Sequence, residues 1–161
     1  MDTLQILCTL RNVKSFLDVY ASDLLPRSIT KSCTVIVNAV PHTKGGSHWL
    51  AVHFRPKFSY AYYFDSYVIV PFVPDILAFV TRNFTFWHRN KRQLQSLTSD
   101  VCGKYCCLFA LYMDRGYTTS NSWRSSEHQR TGRWRRCSRP NSVLRYLAAA
   151  GVNAVAAVYK R

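Results

Sequence analysis

The chain has 161 residues, 22 Lys and Arg against 8 Asp and Glu, and a formal charge of +14. That length suits one domain with a real core, and with 48% hydrophobic and 14% aromatic residues it excludes wholesale disorder. No run approaches the ~18 apolar residues of a membrane span. The N-terminus has no basic leader, and Arg11 and Lys14 break the apolar stretch that follows. The expectation is a soluble, intracellular chain with no membrane partner and a polyanionic neighbour.

In chain order, Val13, Phe16, Leu17 and Tyr20 stand at helical spacing and predict a short amphipathic helix over 12–20. Pro26 ends whatever precedes it, because proline supplies no N–H. Residues 32–40 are rich in β-branched side chains and predict a strand. A turn marked by Gly45 and Gly46 follows over 41–47. Residues 48–54 alternate, and 60–65 are aromatic at nearly every position, so the three strands predict an antiparallel meander. A helix is expected over 74–83, a short strand over 85–88 and the strongest helix over 101–115. Ser99 or Asp100 is the expected cap of that last helix, and Gly116 its stop.

The charge divides the chain. Residues 1–114 hold 12 basic and 7 acidic side chains, and residues 115–161 hold 10 basic and 1 acidic. No periodicity runs through 118–140, which predicts a loop or disordered segment, and a short Ala- and Val-rich helix is expected within 143–158. The domain reading is therefore a catalytic unit over 1–116 and a basic tail over 117–161.

Six cysteines occur: Cys8, Cys33, Cys102, Cys106, Cys107 and Cys137. Reduced thiols are the default without a secretory signal. The C-x3-C-C spacing of Cys102, Cys106 and Cys107 is not that of a zinc site, so no metal is expected. The sequon at Asn83 would matter only in a secreted protein.

Four residues stand where a thiol hydrolase needs them. Cys102 opens a helix, where free N–H groups and the helix dipole favour a thiolate. His48 opens a strand and can take up and return a proton. Asp65 closes the next strand and can orient the imidazole. Gln95 carries an amide N–H that can join the Cys102 backbone N–H in an oxyanion hole. Cys106 and Cys107 lie deeper in the helix, lose the free N–H groups, and read as packing. Taken singly each residue is ordinary: a surface or core histidine, a buried small hydrophobe, a turn aspartate, a loop glutamine. Their order and flanks carry the signal.

The run Gly46-Ser47-His48-Trp49, then Tyr63-Phe64-Asp65-Ser66, then Gln95, then Cys102-Gly103-Lys104-Tyr105-Cys106 resembles the adenovirus protease (adenain) family, which is related to the SUMO- and NEDD8-specific proteases. The resemblance covers about residues 12–116, and 16–20 also look like that family's N-terminal helix. It implies an α+β fold with a central, mostly antiparallel sheet and the nucleophile helix packed beside it. His48 would be the catalytic histidine, Asp65 its acid, Gln95 the oxyanion donor, Cys102 the nucleophile and Trp49 a wall of a narrow substrate cleft. The implied activity is a cysteine endopeptidase cutting viral precursor proteins after glycine, at Gly-Gly-like sites, in the host nucleus and virion. The chemistry requires no cofactor, and the family resemblance implies viral DNA as an activator. The family's activating-peptide cysteine would fall between Asp65 and Gln95. None occurs there, so a disulfide-linked activating peptide is not expected.

Two other readings stay open. Asp65 matches the cellular relatives, where the adenoviral enzymes commonly have Glu, and so fits a protease of ubiquitin-like modifiers. The tail does not resemble the family's C-terminal helices. It reads equally as a frameshifted end, a divergent extension or a nucleic-acid arm, and it motivates a catalytically dead, basic nucleic-acid-binding relic.

Overall fold

The computed structural model describes residues 1–71 and 73–116. The expectations for the tail over 117–161 therefore lie outside the described residues. Helix α1 (Thr3–Leu10) opens the chain, followed by β1 (Phe16–Ala21), β2 (Cys33–Asn38), β3 (Trp49–Arg55) and a 3-10 turn over Pro56–Phe58. Strand β4 (Tyr60–Phe64), helix α2 (Pro74–Asn83), strand β5 (Phe86–Arg89) and helix α3 (Cys102–Asp114) complete it. The architecture is α+β: a five-stranded mixed sheet in the order β1-β2-β3-β4-β5, with three helices packed against it.

The expected meander is present, since β2, β3 and β4 pair antiparallel. The sheet as a whole is not mostly antiparallel, because β1 joins β2 and β5 joins β4 in parallel. The second parallel pair follows from α2, which carries the chain back along the sheet between β4 and β5. Strands β2 and β3 are buried at almost every position and have no polar face, as expected for strands covered on both sides.

The helix expected over 12–20 is not formed; Phe16, Leu17 and Tyr20 lie in β1, and Val13 precedes it. The register slips between Phe16 and Asp18, leaving Leu17 in a bulge. A bulge moves the alternation by one residue. Leu17 and Tyr20 thus pack against the same core, and their three-residue spacing imitates a helix. The N-terminal helix lies earlier, in α1. There Asp2 Oδ1 accepts from the Gln5 N–H at 2.8 Å, and Gln5 Oε1 accepts from the Asp2 N–H at 3.1 Å, a reciprocal capping box.

On one face of the sheet, Val35, Val37, Val52, Phe54 and Tyr63 meet Ile76, Phe79 and Val80 of α2. Phe54 contacts Phe79 edge-on at 5.2 Å and stacks with Phe84 at 4.8 Å. Each such side chain contributes roughly 1.5–3 kcal/mol by leaving water. On the other face, α3 lies on β2 and β3, and α1 packs on α3 and β1. This second layer places the start of α3 beside the start of β3.

Helix α3 begins as expected but without the expected cap. Val101 is its N-cap and no side chain closes it. Ser99 is engaged elsewhere: its hydroxyl donates to Ser96 O, and its carbonyl accepts from Tyr67 and Gln95. The helix stops at Gly116, whose φ of +79° suits glycine.

Candidate active site

Three chain ends converge. His48 immediately precedes β3, Asp65 immediately follows its antiparallel neighbour β4, and Cys102 is the first residue of α3, which lies on β3. Antiparallel pairing puts the start of β3 and the end of β4 at the same end of the strands. His48 Nε2 and Asp65 Oδ1 are 3.0 Å apart, and Asp65 is only 1% exposed.

Asp65 is fixed from several sides. Its Oδ1 also accepts from the Tyr67 N–H at 2.8 Å, while Asn90 Oδ1 accepts from the Asp65 N–H at 3.0 Å and Asn90 Nδ2 donates to the Asp65 carbonyl at 2.7 Å. The acid therefore cannot swing away from the imidazole. The other ring nitrogen, His48 Nδ1, is buried and makes no hydrogen bond of ordinary geometry among the described residues. The Cys102 thiol also interacts with the imidazole.

The electrostatics favour an ion pair. Burial alone would lower the His48 pKa, but the hydrogen bond to Asp65, the Cys102 side chain and their negative charge raise it to about 9. Burial alone would raise the Cys102 thiol. His48, then the backbone N–H of Trp49, the charge of His48 and the N–H of Gly103 outweigh it and hold the thiol below its ordinary value. No acidic residue occupies the first turn of α3, and no side-chain cap competes for its leading N–H groups. Cys106 and Cys107 behave oppositely. Burial pushes Cys106 well above the ordinary thiol value and Cys107 up to about 12.

Cys102, His48 and Trp49 open onto a cleft of about 650 Å³ that Met1, Tyr20, Asn38 and Tyr67 also line. Trp49 is anchored there: its indole N–H donates to the Met1 carbonyl at 2.9 Å. Gly103 is crowded by the same two residues, since a Cβ on it would lie 3.0 Å from Met1 Cβ and 3.2 Å from Trp49 Cδ1. Asn38 Oδ1 accepts from the Val40 and Ser47 N–H groups and braces the loop that delivers His48.

Gln95 is placed behind this set. It is 2% exposed, its Oε1 accepts from Ser66 Oγ at 2.7 Å, and its Nε2 donates to Tyr67 Oη at 2.9 Å and to the Ser99 carbonyl at 2.6 Å. Both amide hydrogens are thus engaged, and the backbone N–H groups of Trp49 and Gly103 are the donors that reach the thiol. The sequence reading passed over Tyr67, Asn38 and Met1. Only the adjacency of Tyr67 to Asp65 could have pointed to it; a tyrosine, an asparagine and a methionine carry no signal by type.

Among the described residues no cluster of three His, Cys, Asp or Glu side chains could hold a metal ion, and no helix is long and apolar enough to cross a membrane. No protein-family model matches the chain, and no curated protein matches it.

Proposed function

We propose that this chain is a cysteine endopeptidase of the adenovirus-protease type. The observation that carries the reading is the meeting of Asp65, His48 and Cys102 at one end of the central strands, with an imidazole held protonated beside a thiol held below its ordinary value. A thiolate and an imidazolium are the resting forms such an enzyme needs.

The Cys102 thiolate attacks the scissile carbonyl, an S–C bond forms and the carbonyl π pair moves onto oxygen. His48 gives its proton to the leaving nitrogen, the C–N bond breaks and a thioester remains. Water then attacks with His48 taking its proton, and collapse of the second tetrahedral species returns the thiolate and frees the acid. The N-terminus of α3 stabilises the oxyanion. Gln95 Nε2 joins it by giving up its bond to Tyr67 or Ser99.

Trp49 and Tyr67 line the cleft, and glycine, without a Cβ, lets a peptide backbone pass between bulky walls. The substrates we propose are viral precursor proteins with Gly-Gly-like sites, with viral DNA as an activator drawn by the basic charge and the host nucleus and virion as the setting. The test is hydrolysis of a Gly-Gly peptide against its Ala-substituted analogue. Preference for glycine and loss of cleavage in Cys102→Ala are expected; cleavage that survives the substitution sinks the nucleophile assignment.

A second reading keeps the chemistry and changes the substrate. Asp65, the shorter acid, favours a protease of ubiquitin-like modifiers, whose Gly-Gly tails fit the same cleft. Covalent capture by a ubiquitin-like C-terminal probe, with no cleavage of free peptides, would select it.

A further inference from the structure

Tyr67 contacts His48, Asp65, Gln95 and Ser99. Its ring centroid lies 5.0 Å from that of His48, tilted by 35°. Its backbone N–H meets Asp65 Oδ1, the oxygen that also faces His48 Nε2. Its hydroxyl donates to the Ser99 carbonyl at 2.9 Å and accepts from Gln95 Nε2 at 2.9 Å. Ser99 lies three residues before Cys102, so the phenol joins the turn that carries Asp65 to the loop that leads into Cys102.

The backbone around Tyr67 is built at a cost. The Val68 N–H closes a turn onto the Asp65 carbonyl at 2.9 Å, and Val68 itself has a φ of +65°. A β-branched residue is strained in that region. Arg89 Nη1 donates to the Val68 carbonyl at 3.0 Å and helps hold the turn closed. The turn aims the Tyr67 ring at the imidazole. An imidazole held by one hydrogen bond can rotate about it, and a ring packed on its face removes that freedom.

We propose that Tyr67 is a positioning residue: its ring locks His48 against Asp65, and its hydroxyl couples that half of the site to the loop that leads into Cys102. The proposal rests on the reading of Cys102 and His48 as nucleophile and base. Tyr67 acts through His48 and transfers no proton itself. Its hydroxyl is held above the ordinary phenol value by desolvation, then by the negative charge of Cys102, Asp65 and Asp100, and so stays a donor. Those three residues and His48 are the titratable groups that face it, Asp65 from the turn after β4, Cys102 from the start of α3, Asp100 from the loop between β5 and α3, and His48 from the residue before β3.

The test compares Tyr67→Phe, which keeps the ring and loses the hydroxyl bonds, with Tyr67→Ala, which loses both, and with His48→Ala as the limit. The rate of iodoacetamide alkylation at Cys102 is followed against pH by mass spectrometry of the Cys102 peptide, which separates it from the exposed Cys8. Tyr67→Ala should move the profile up towards that of an ordinary thiol, with Tyr67→Phe in between. On a Gly-Gly peptide, kcat should fall about tenfold in the phenylalanine variant and about a hundredfold in the alanine variant, with KM changing less. If His48→Ala moves the profile and neither Tyr67 variant does, the positioning role is overturned and the catalytic pair stands. If the unsubstituted protein already alkylates like an ordinary thiol, the catalytic reading and this proposal fall together. Should the alanine variant lose its near-UV circular dichroism, the phenylalanine variant alone decides.

Discussion

The rings of Phe64 and Phe109 stack at 4.9 Å, only 13° from parallel. Phe64 is the residue before Asp65, and Phe109 lies two turns along the helix that begins at Cys102. The contact therefore ties the strand end that supplies the acid to the helix that supplies the thiol. Phe109→Ala leaves a hole between β4 and α3 and should cost about 3 kcal/mol of stability, read from urea unfolding. Peptide hydrolysis should fall even where the variant is fully folded, because the two elements then shift independently. A variant with lowered stability and unchanged turnover would show that the stack supports the fold alone.

The pH dependence follows from the two shifted groups. His48 is raised from 6.5 to about 9, so its proton is held more tightly in the folded state. The stability this confers is whole below about 6.5 and is lost as pH rises through about 9. Cys102 runs the other way. Its thiolate contributes above the ordinary thiol value of 9.0, and the contribution is lost as pH falls through the lowered value. The ion pair is populated between the lowered thiol value and about 9. Turnover on a Gly-Gly peptide should thus be bell-shaped and decline above about 9 as the leaving group loses its acid. Turnover that keeps rising through that limit would contradict the pairing.

Gly46 lies against Asn38. A Cβ on Gly46 would come within 2.8 Å of Asn38 Nδ2, and Asn38 is held by two backbone N–H groups of the same loop. Gly46→Ala should displace that loop and His48 with it, costing roughly 1–3 kcal/mol in stability. The alkylation rate of Cys102 near neutral pH should drop in parallel. Gly45→Ala is the control, since a Cβ there meets nothing within 4 Å.

Val68→Gly relieves a φ of +65° that valine tolerates poorly. Chemical denaturation should show a gain of about 1 kcal/mol. A loss instead would mean that the half-buried valine side chain outweighs the strain of its backbone.

Much of this could be read in advance because it is local. The β-branched run of β2, the aromatic run of β4, the apolar face of α3 and the glycine that ends it each declare themselves within a few residues. His48, Asp65 and Cys102 stood out by their order and their neighbours, since a thiol at a helix start and an imidazole at a strand start are recognisable from short segments. The assignments that went astray depended on a partner strand or a competing hydrogen bond. Leu17 and Tyr20 share a face through a bulge that only pairing with β2 reveals. Ser99 is drawn away from capping α3 by Ser96, Tyr67 and Gln95. Gln95 was read as an oxyanion donor, and the partners its amide meets, Tyr67, 28 residues before it, and Ser99, are set by tertiary packing that the sequence does not display. Residue type and spacing name the chemistry a side chain is capable of. The partner that it meets at 3 Å is set by how distant segments pack, and at this site that packing brings in Tyr67.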